Sequence, residues 1–304
     1  MFETARRIFK TRAFVPPFAL VAFVSLSAQP AAALPGGVAD RDDRFPYVVE
    51  IARNGRMICS GTVLYPRLVV TSAHCLQHVV RAWGRRIYVD AYLQPTELFV
   101  RVFRDGRMRS YAVEKTIVAP GWLAGTPSQS IDARLPYDMA LLVTRAPINV
   151  DLPLHVLDAK PPLVPTPSAM AAGQRGVLVA FGGVRCTSSR DCADAGLRRY
   201  VNLTLQDSAA CFKSRLEREA GLPRSVWCMK NIVLPGDSGG ALLVEDRDGA
   251  LRYAGVISAQ RGLPPELAAV SGRPQSAAAA LASNLEFIAG AARALGYRGA
   301  SSDP

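Results

Sequence analysis

The chain has only three histidines in 304 residues, His74, His78 and His155. Any proton transfer run by imidazole near neutral pH must therefore use one of them. It has no Cys-x₂-Cys pair, which argues against a structural zinc site, and no metal or other cofactor is expected. It has no block of five or more Lys/Arg despite a formal net charge of +11. A generally basic surface fits better than a nucleic-acid-binding patch, so no nucleic-acid partner is expected. Its apolar run near the start, Ala13 to Ala28, contains Pro16 and Pro17 and falls short of the ~20 residues that cross a bilayer. No internal repeat is visible. With hydrophobic residues at 49% and charged residues at 20%, the composition is that of a folded globular protein.

What is present starts with an export pattern. Arg6, Arg7, Lys10 and Arg12 precede the apolar run, which ends in Ala31-Ala32-Ala33. A basic start, a short apolar core and an Ala-x-Ala ending make residues 1–33 a secretory signal peptide of bacterial type, which places the protein in the periplasm or outside the cell. The alternative, a retained anchor, is disfavoured by the short run, and no stable membrane insertion is expected after cleavage. Cleavage after Ala33 exposes Leu34. All six cysteines, Cys59, Cys75, Cys186, Cys192, Cys211 and Cys228, follow that point. An even number in an exported chain implies three disulfides, and spacing does not choose among the pairings.

Short β-branched runs separated by glycine and proline fill residues 45–158. They include 47–51, 57–64, 68–71, 87–89, 98–103, 111–113 and 140–143, with Asn54-Gly55 as a hairpin turn. Residues 159–170 are proline-rich and read as a linker. Strand patterns return at 176–181, 197–205, 241–244 and 253–258. The run Ala277 to Ala294 has helical spacing and stops near Gly296. The expected organisation is all-β: an N-terminal β-barrel over 34–158, the linker, a C-terminal β-barrel over 171–276, a C-terminal α-helix over 277–296 and a tail over 297–304.

The stretch Gly236-Asp237-Ser238-Gly239-Gly240 suits an exposed hydroxyl on a tight turn whose backbone N–H groups converge. Serine is a weak nucleophile and needs a base. His74 ends the apolar strand Val69-Val70-Thr71-Ser72-Ala73. Asp138 directly precedes the apolar run Met139-Ala140-Leu141-Leu142. Taken singly, His74 also reads as a satisfied core or surface histidine, and Asp138 as a solvated strand cap.

Together, Val-Val-Thr-Ser-Ala-His-Cys, Asp-Met-Ala-Leu-Leu and Gly-Asp-Ser-Gly-Gly resemble the trypsin/chymotrypsin-like serine proteases, in that family's chain order of His, Asp and Ser. Cys59-Ser60-Gly61-Thr62, Phe45-Pro46-Tyr47, Phe181-Gly182-Gly183 and Ala254-Gly255-Val256-Ile257-Ser258 extend the resemblance over roughly Leu34 to Ala294. The resemblance implies two six-stranded antiparallel β-barrels and a serine endopeptidase acting on protein or peptide substrates as a monomer. It implies His74 as base, Asp138 as its orienter, Ser238 as nucleophile and the N–H groups of Gly236 and Ser238 as the oxyanion hole. It implies that Asp237 anchors a new N-terminus, here Leu34. It also implies Cys59–Cys75 and Cys211–Cys228 disulfides, leaving Cys186 with Cys192.

The pattern departs from the family at the specificity pocket. By that alignment Ile232, Ser258 and Gln260 line the pocket, and no acid lies among Lys230 to Pro235. Cleavage after Arg or Lys is therefore disfavoured, and a small or apolar residue before the scissile bond is expected. Leu34-Pro35-Gly36-Gly37 matches the family's N-terminal motif loosely, with Pro35 in place of its usual valine. Two other readings compete. One is a catalytically silent homologue that uses the barrels for binding. The other is an α/β-hydrolase esterase, whose Gly-x-Ser-x-Gly elbow fits 236–240 by letter. Its histidine comes last and it alternates β and α, neither of which holds here.

Overall fold

A computed structural model of the chain describes residues 34, 37–82, 85–104, 107–123, 134–152, 172–182, 185–188, 191–193, 197–211, 225–230, 233–246, 248–260 and 276–297. The segments 1–33, 159–170 and 298–304, and with them the expected signal peptide, the expected linker and most of the expected tail, lie outside the described residues, as do His155 and Ile232. None of the described helices is long and apolar enough to cross a membrane.

The strands of the first half are β1 (Val38–Ala39), β2 (Val48–Arg53), β3 (Arg56–Tyr65), β4 (Leu68–Thr71), β5 (Gln77–Ala82), β6 (Arg85–Tyr92), β7 (Leu98–Arg104), β8 (Arg107–Val118) and β9 (Ala140–Thr144). Those of the second half are β10 (Arg175–Ala180), β11 (Arg185–Ser188), β12 (Asp191–Ala193), β13 (Arg199–Thr204), β14 (Val226–Met229), β15 (Ala241–Glu245), β16 (Leu251–Gln260) and β17 (Ser276–Ala280). Among the described residues the α-helices are one turn, α1 (Pro120–Leu123), and α2 (Leu285–Ala294).

Six strands of the first half close into an antiparallel barrel, in the order β2-β3-β4-β9-β8-β7 with β7 back on β2. Closure removes both sheet edges over the paired registers. The turn at Asn54-Gly55 joins β2 and β3 as its dipeptide predicts. Six strands of the second half run β13-β10-β15-β16-β17-β14, and β1 adds to the outer edge of β13. An isolated bridge from Gln206 to Cys228 links the chain after β13 to β14, so the two ends of this six-strand run meet. The expected all-β, two-barrel fold with a C-terminal helix is therefore present.

Two expected boundaries shift. The helix begins at Leu285, not Ala277, because Ser276–Ala280 is a strand. Alanine prefers helix, but here tertiary packing wins. Ala278 pairs with Trp227, and Trp227 needs small neighbours: a Cβ on Gly255 would lie 3.0 Å from its Cδ1. The five residues of β17 are completely buried between β14 and β16. The N-terminal segment also changes halves. Val38 and Ala39 pair with Tyr200 and Arg199, and Leu34 is buried in the second core with Trp227 and Leu242. The first barrel therefore takes up the chain after this segment, and not at residue 34.

The two ends of the described chain cross over. Arg198, almost fully buried, holds Asp40 and Asp43 and so fastens the N-terminal segment to the start of β13. At the other end α2 packs Ile288 and Ala292 into the core cluster that contains the first barrel. Tyr297 stacks on Tyr65 at 4.7 Å and accepts the Arg67 N–H. Each half is thus covered by a segment from the far end of the sequence.

Candidate active site

His74 and Asp138 come together because their strands are neighbours. β4 pairs with β9, and Thr71 lies opposite Ala140 at the end of that ladder. His74 follows Thr71 on a single 3₁₀ turn, and Asp138 caps the end of another, two residues before β9. The Cys59–Cys75 disulfide ties that turn to β3. Asp138 Oδ1 accepts the His74 backbone N–H at 2.9 Å, and Oδ2 lies 2.7 Å from His74 Nδ1. Ser258 Oγ donates to the same Oδ2 in a short hydrogen bond. The carboxylate is 1% exposed, so three donors at one buried charge are what keep it ionised. Burial alone pushes the Asp138 carboxyl up, but the adjacent imidazole and these donors outweigh it and the net shift is downward. Burial alone pushes His74 down, and the Asp138 charge and hydrogen bond outweigh it, so its pKa is raised.

Ser238 sits on the turn leading into β15. Its Oγ donates to the Ser258 carbonyl at 3.1 Å. Ser258 thus touches both parts of the site, the serine through its carbonyl and Asp138 through its hydroxyl. Within the turn, Asp237 N–H donates to Leu234, Gly239 N–H to Ile257 and Gly240 N–H to Asp237. Among the described residues, the N–H groups of Gly236 and Ser238 donate to no backbone carbonyl. Those are the two groups singled out as oxyanion donors. Gly239 packs so closely on the first barrel that a Cβ there would lie 2.0 Å from the Ser60 carbonyl oxygen.

Asp237 is fully buried beneath the turn. Its oxygens accept the N–H groups of Gly182 at 3.0 Å and Leu234 at 2.7 Å, and the Leu34 backbone N–H also reaches it. Burial pushes its carboxyl up to about 7 against those three donors. Gly182 is required here, since a Cβ would lie 2.1 Å from Asp237 Oδ1. Leu34, Asp237 and the Ser238 turn are therefore contiguous.

The remaining expected residues are placed in part. Cys211 and Cys228 are bonded, joining the chain after β13 to β14. Cys186 and Cys192 are cross-strand partners in the β11–β12 hairpin. Gln260 is the last residue of β16, opposite Ser276. Sequence reasoning missed Ser60, Ser72 and Arg198. Ser72 Oγ donates to the Ile257 carbonyl at 2.6 Å and ties the His74 turn to β16. A serine among apolar strand residues signals such bonds only once its buried position is known. Cys59, His74 and Cys75 lie close enough to hold a metal, but both cysteines are spent in their disulfide.

The molecule thus combines paired barrels with a serine, a histidine and an aspartate where they meet. Comparison with known proteins places this arrangement. The trypsin family model matches residues 34–269. The chain belongs to the trypsin family. It is 26% identical to trypsin alpha-4 of Lucilia cuprina over 226 residues, 73% of this chain and 75% of that protein. It is 32% identical to hypodermin-A of Hypoderma lineatum over 63 residues, 21% of this chain, and so spans only 25% of that relative. It is 41% identical to trypsin delta of Drosophila erecta over 44 residues, 14% of this chain and 17% of the relative.

Proposed function

We propose that the protein is an exported serine endopeptidase that hydrolyses protein or peptide substrates through Ser238, His74 and Asp138. The observation that carries this reading is the pair of N–H groups at Gly236 and Ser238 that donate to no backbone carbonyl among the described residues, on the turn that also presents the Ser238 hydroxyl. The neighbouring N–H groups of Asp237, Gly239 and Gly240 all donate to backbone carbonyls, which leaves these two for an oxyanion. In the reaction, Ser238 Oγ attacks the scissile carbonyl carbon and its proton passes to His74 Nε2. The same proton is then delivered to the leaving amine, and water releases the acyl group by the same route. Asp138 holds Nδ1–H and stabilises the imidazolium that forms.

Leu34 is proposed as the working N-terminus, generated by signal cleavage after Ala33. Its α-ammonium would lie against Asp237, where a buried carboxylate with a raised pKa gains most from a cation. The absence of an acid among Lys230 to Pro235 supports selection of a small or apolar residue before the scissile bond. The Cys186–Cys192 disulfide, the monomeric state and the periplasmic or extracellular location belong to the same proposal. Purified exported protein tests it: sequencing should begin at Leu34, and a peptide library should be cut after small or apolar residues. A different first residue overturns the N-terminus assignment, and cleavage mainly after Arg or Lys overturns the specificity.

A further inference from the structure

Ser60 is completely buried on β3, in the first barrel, yet its polar atoms serve the turn of the second. Its N–H donates to the Ser238 carbonyl at 2.8 Å. Its Oγ donates to the Gly236 carbonyl at 2.9 Å and accepts the Phe181 N–H at 2.8 Å. Its own carbonyl accepts the Thr71 hydroxyl at 2.7 Å. Its three polar groups thus make four bonds, three of them with the second half and the fourth within its own barrel. Gly236 has a positive φ of 97°, and a glycine there has many other backbone states open to it. The Ser60 hydroxyl on its carbonyl and the Leu234 carbonyl on Asp237 N–H fix the plane of the 236–237 peptide from both sides. With that plane fixed, the direction of the Gly236 N–H is restricted.

We infer that the Ser60 side chain is a positioning residue: from the opposite barrel, it holds Gly236 in the conformation that aims its N–H at the oxyanion. The inference rests on the endopeptidase reading above. Removing the hydroxyl then weakens transition-state binding and leaves ground-state substrate binding alone.

The test uses full-length exported protein and the variants S60A and S60G, with S60G as the alternative if S60A does not fold. Both delete the hydroxyl and keep the N–H to the Ser238 carbonyl. One hydrogen bond of this kind corresponds to about a tenfold loss in kcat. KM should stay within about twofold. A peptide boronate, which presents a tetrahedral oxyanion mimic, should bind about tenfold more weakly. A cleavage-product peptide should bind as before. Equal boronate affinity in wild type and variants overturns the inference. So does equal weakening of boronate and product peptide, or failure of both variants to fold, since each assigns the hydroxyl to structure alone. If wild type itself neither cleaves peptides nor binds boronate, the endopeptidase reading fails instead.

Discussion

In the first barrel, the histidine and aspartate of the site are held by a ladder. β4 and β9 are hydrogen-bonded neighbours, and His74 and Asp138 lie just past the Thr71–Ala140 pair at its end. In the second half, Ser238 is held by a turn that precedes β15. Its support comes from separate bonds to Ser60 on one side and to Gly182, Leu234 and Leu34 through Asp237 on the other. A ladder-end arrangement is as rigid as the barrel. A turn held by scattered bonds depends on elements far apart in sequence, including the N-terminal segment. The proposed anchoring of a Leu34 N-terminus on Asp237 would act on the second kind of support and not on the first.

Perturbing either side sharpens that contrast. The largest effect is expected on the ladder side. Asp138→Asn keeps the shape but presents the wrong partner to His74 Nδ1, and kcat should fall about 10⁴-fold, the size known for this exchange in enzymes of this class. The circular dichroism spectrum should not change. Retained activity would separate the His74–Asp138 pair from catalysis. Next comes the core behind the turn. Trp227→Ala removes a buried ring that donates to the Ala254 carbonyl, at an expected cost of about 3–5 kcal/mol read from denaturant melts. A cost under about 1 kcal/mol would mean that the alanine strand does not depend on this ring for its packing.

Gly239→Ala targets the turn itself. The added methyl meets the Ser60 carbonyl and the left-handed backbone disfavours it, so kcat should drop about 100-fold, the worth of one misplaced oxyanion donor. Unchanged kcat would show that the turn yields without loss. The smallest expected effect is in pH. His74 must be neutral to accept the proton, and its pKa lies above the ordinary 6.5. Activity should therefore rise with pH through a midpoint above 6.5. In Asp138→Asn the charge is gone while the burial stays, so the midpoint of the residual activity should move down. An unchanged midpoint would mean that another group controls the profile.

Much of this was legible in the sequence. Strands 68–71 and 98–103 read correctly because β-branched and apolar residues alternate with clear turns. The three site segments stood out because each places a chemical group next to a strand or in a glycine turn, and the structure brings His74 and Asp138 into contact. The alanine strand Ser276–Ala280 did not read correctly, since its composition favours helix and only the bulk of Trp227 across the ladder makes small residues necessary. The placement of Leu34, Val38 and Ala39 on the second half did not either, because its determinant, the buried Arg198 with Asp40 and Asp43, joins residues about 160 positions apart. Ser60 looked like part of a strand motif. The role proposed for it lies in three bonds that exist only after both halves are built.

The central claim is that Ser238 is an activated nucleophile, and a fluorophosphonate probe tests it most directly. Protein beginning at Leu34 should gain one probe mass, located by peptide mapping on Ser238, at a rate that falls sharply in Asp138→Asn, and Ser238→Ala should gain none. A folded protein of that start that takes up no probe, or takes it up equally in Ser238→Ala, would contradict the account and favour a silent homologue that uses its barrels for binding.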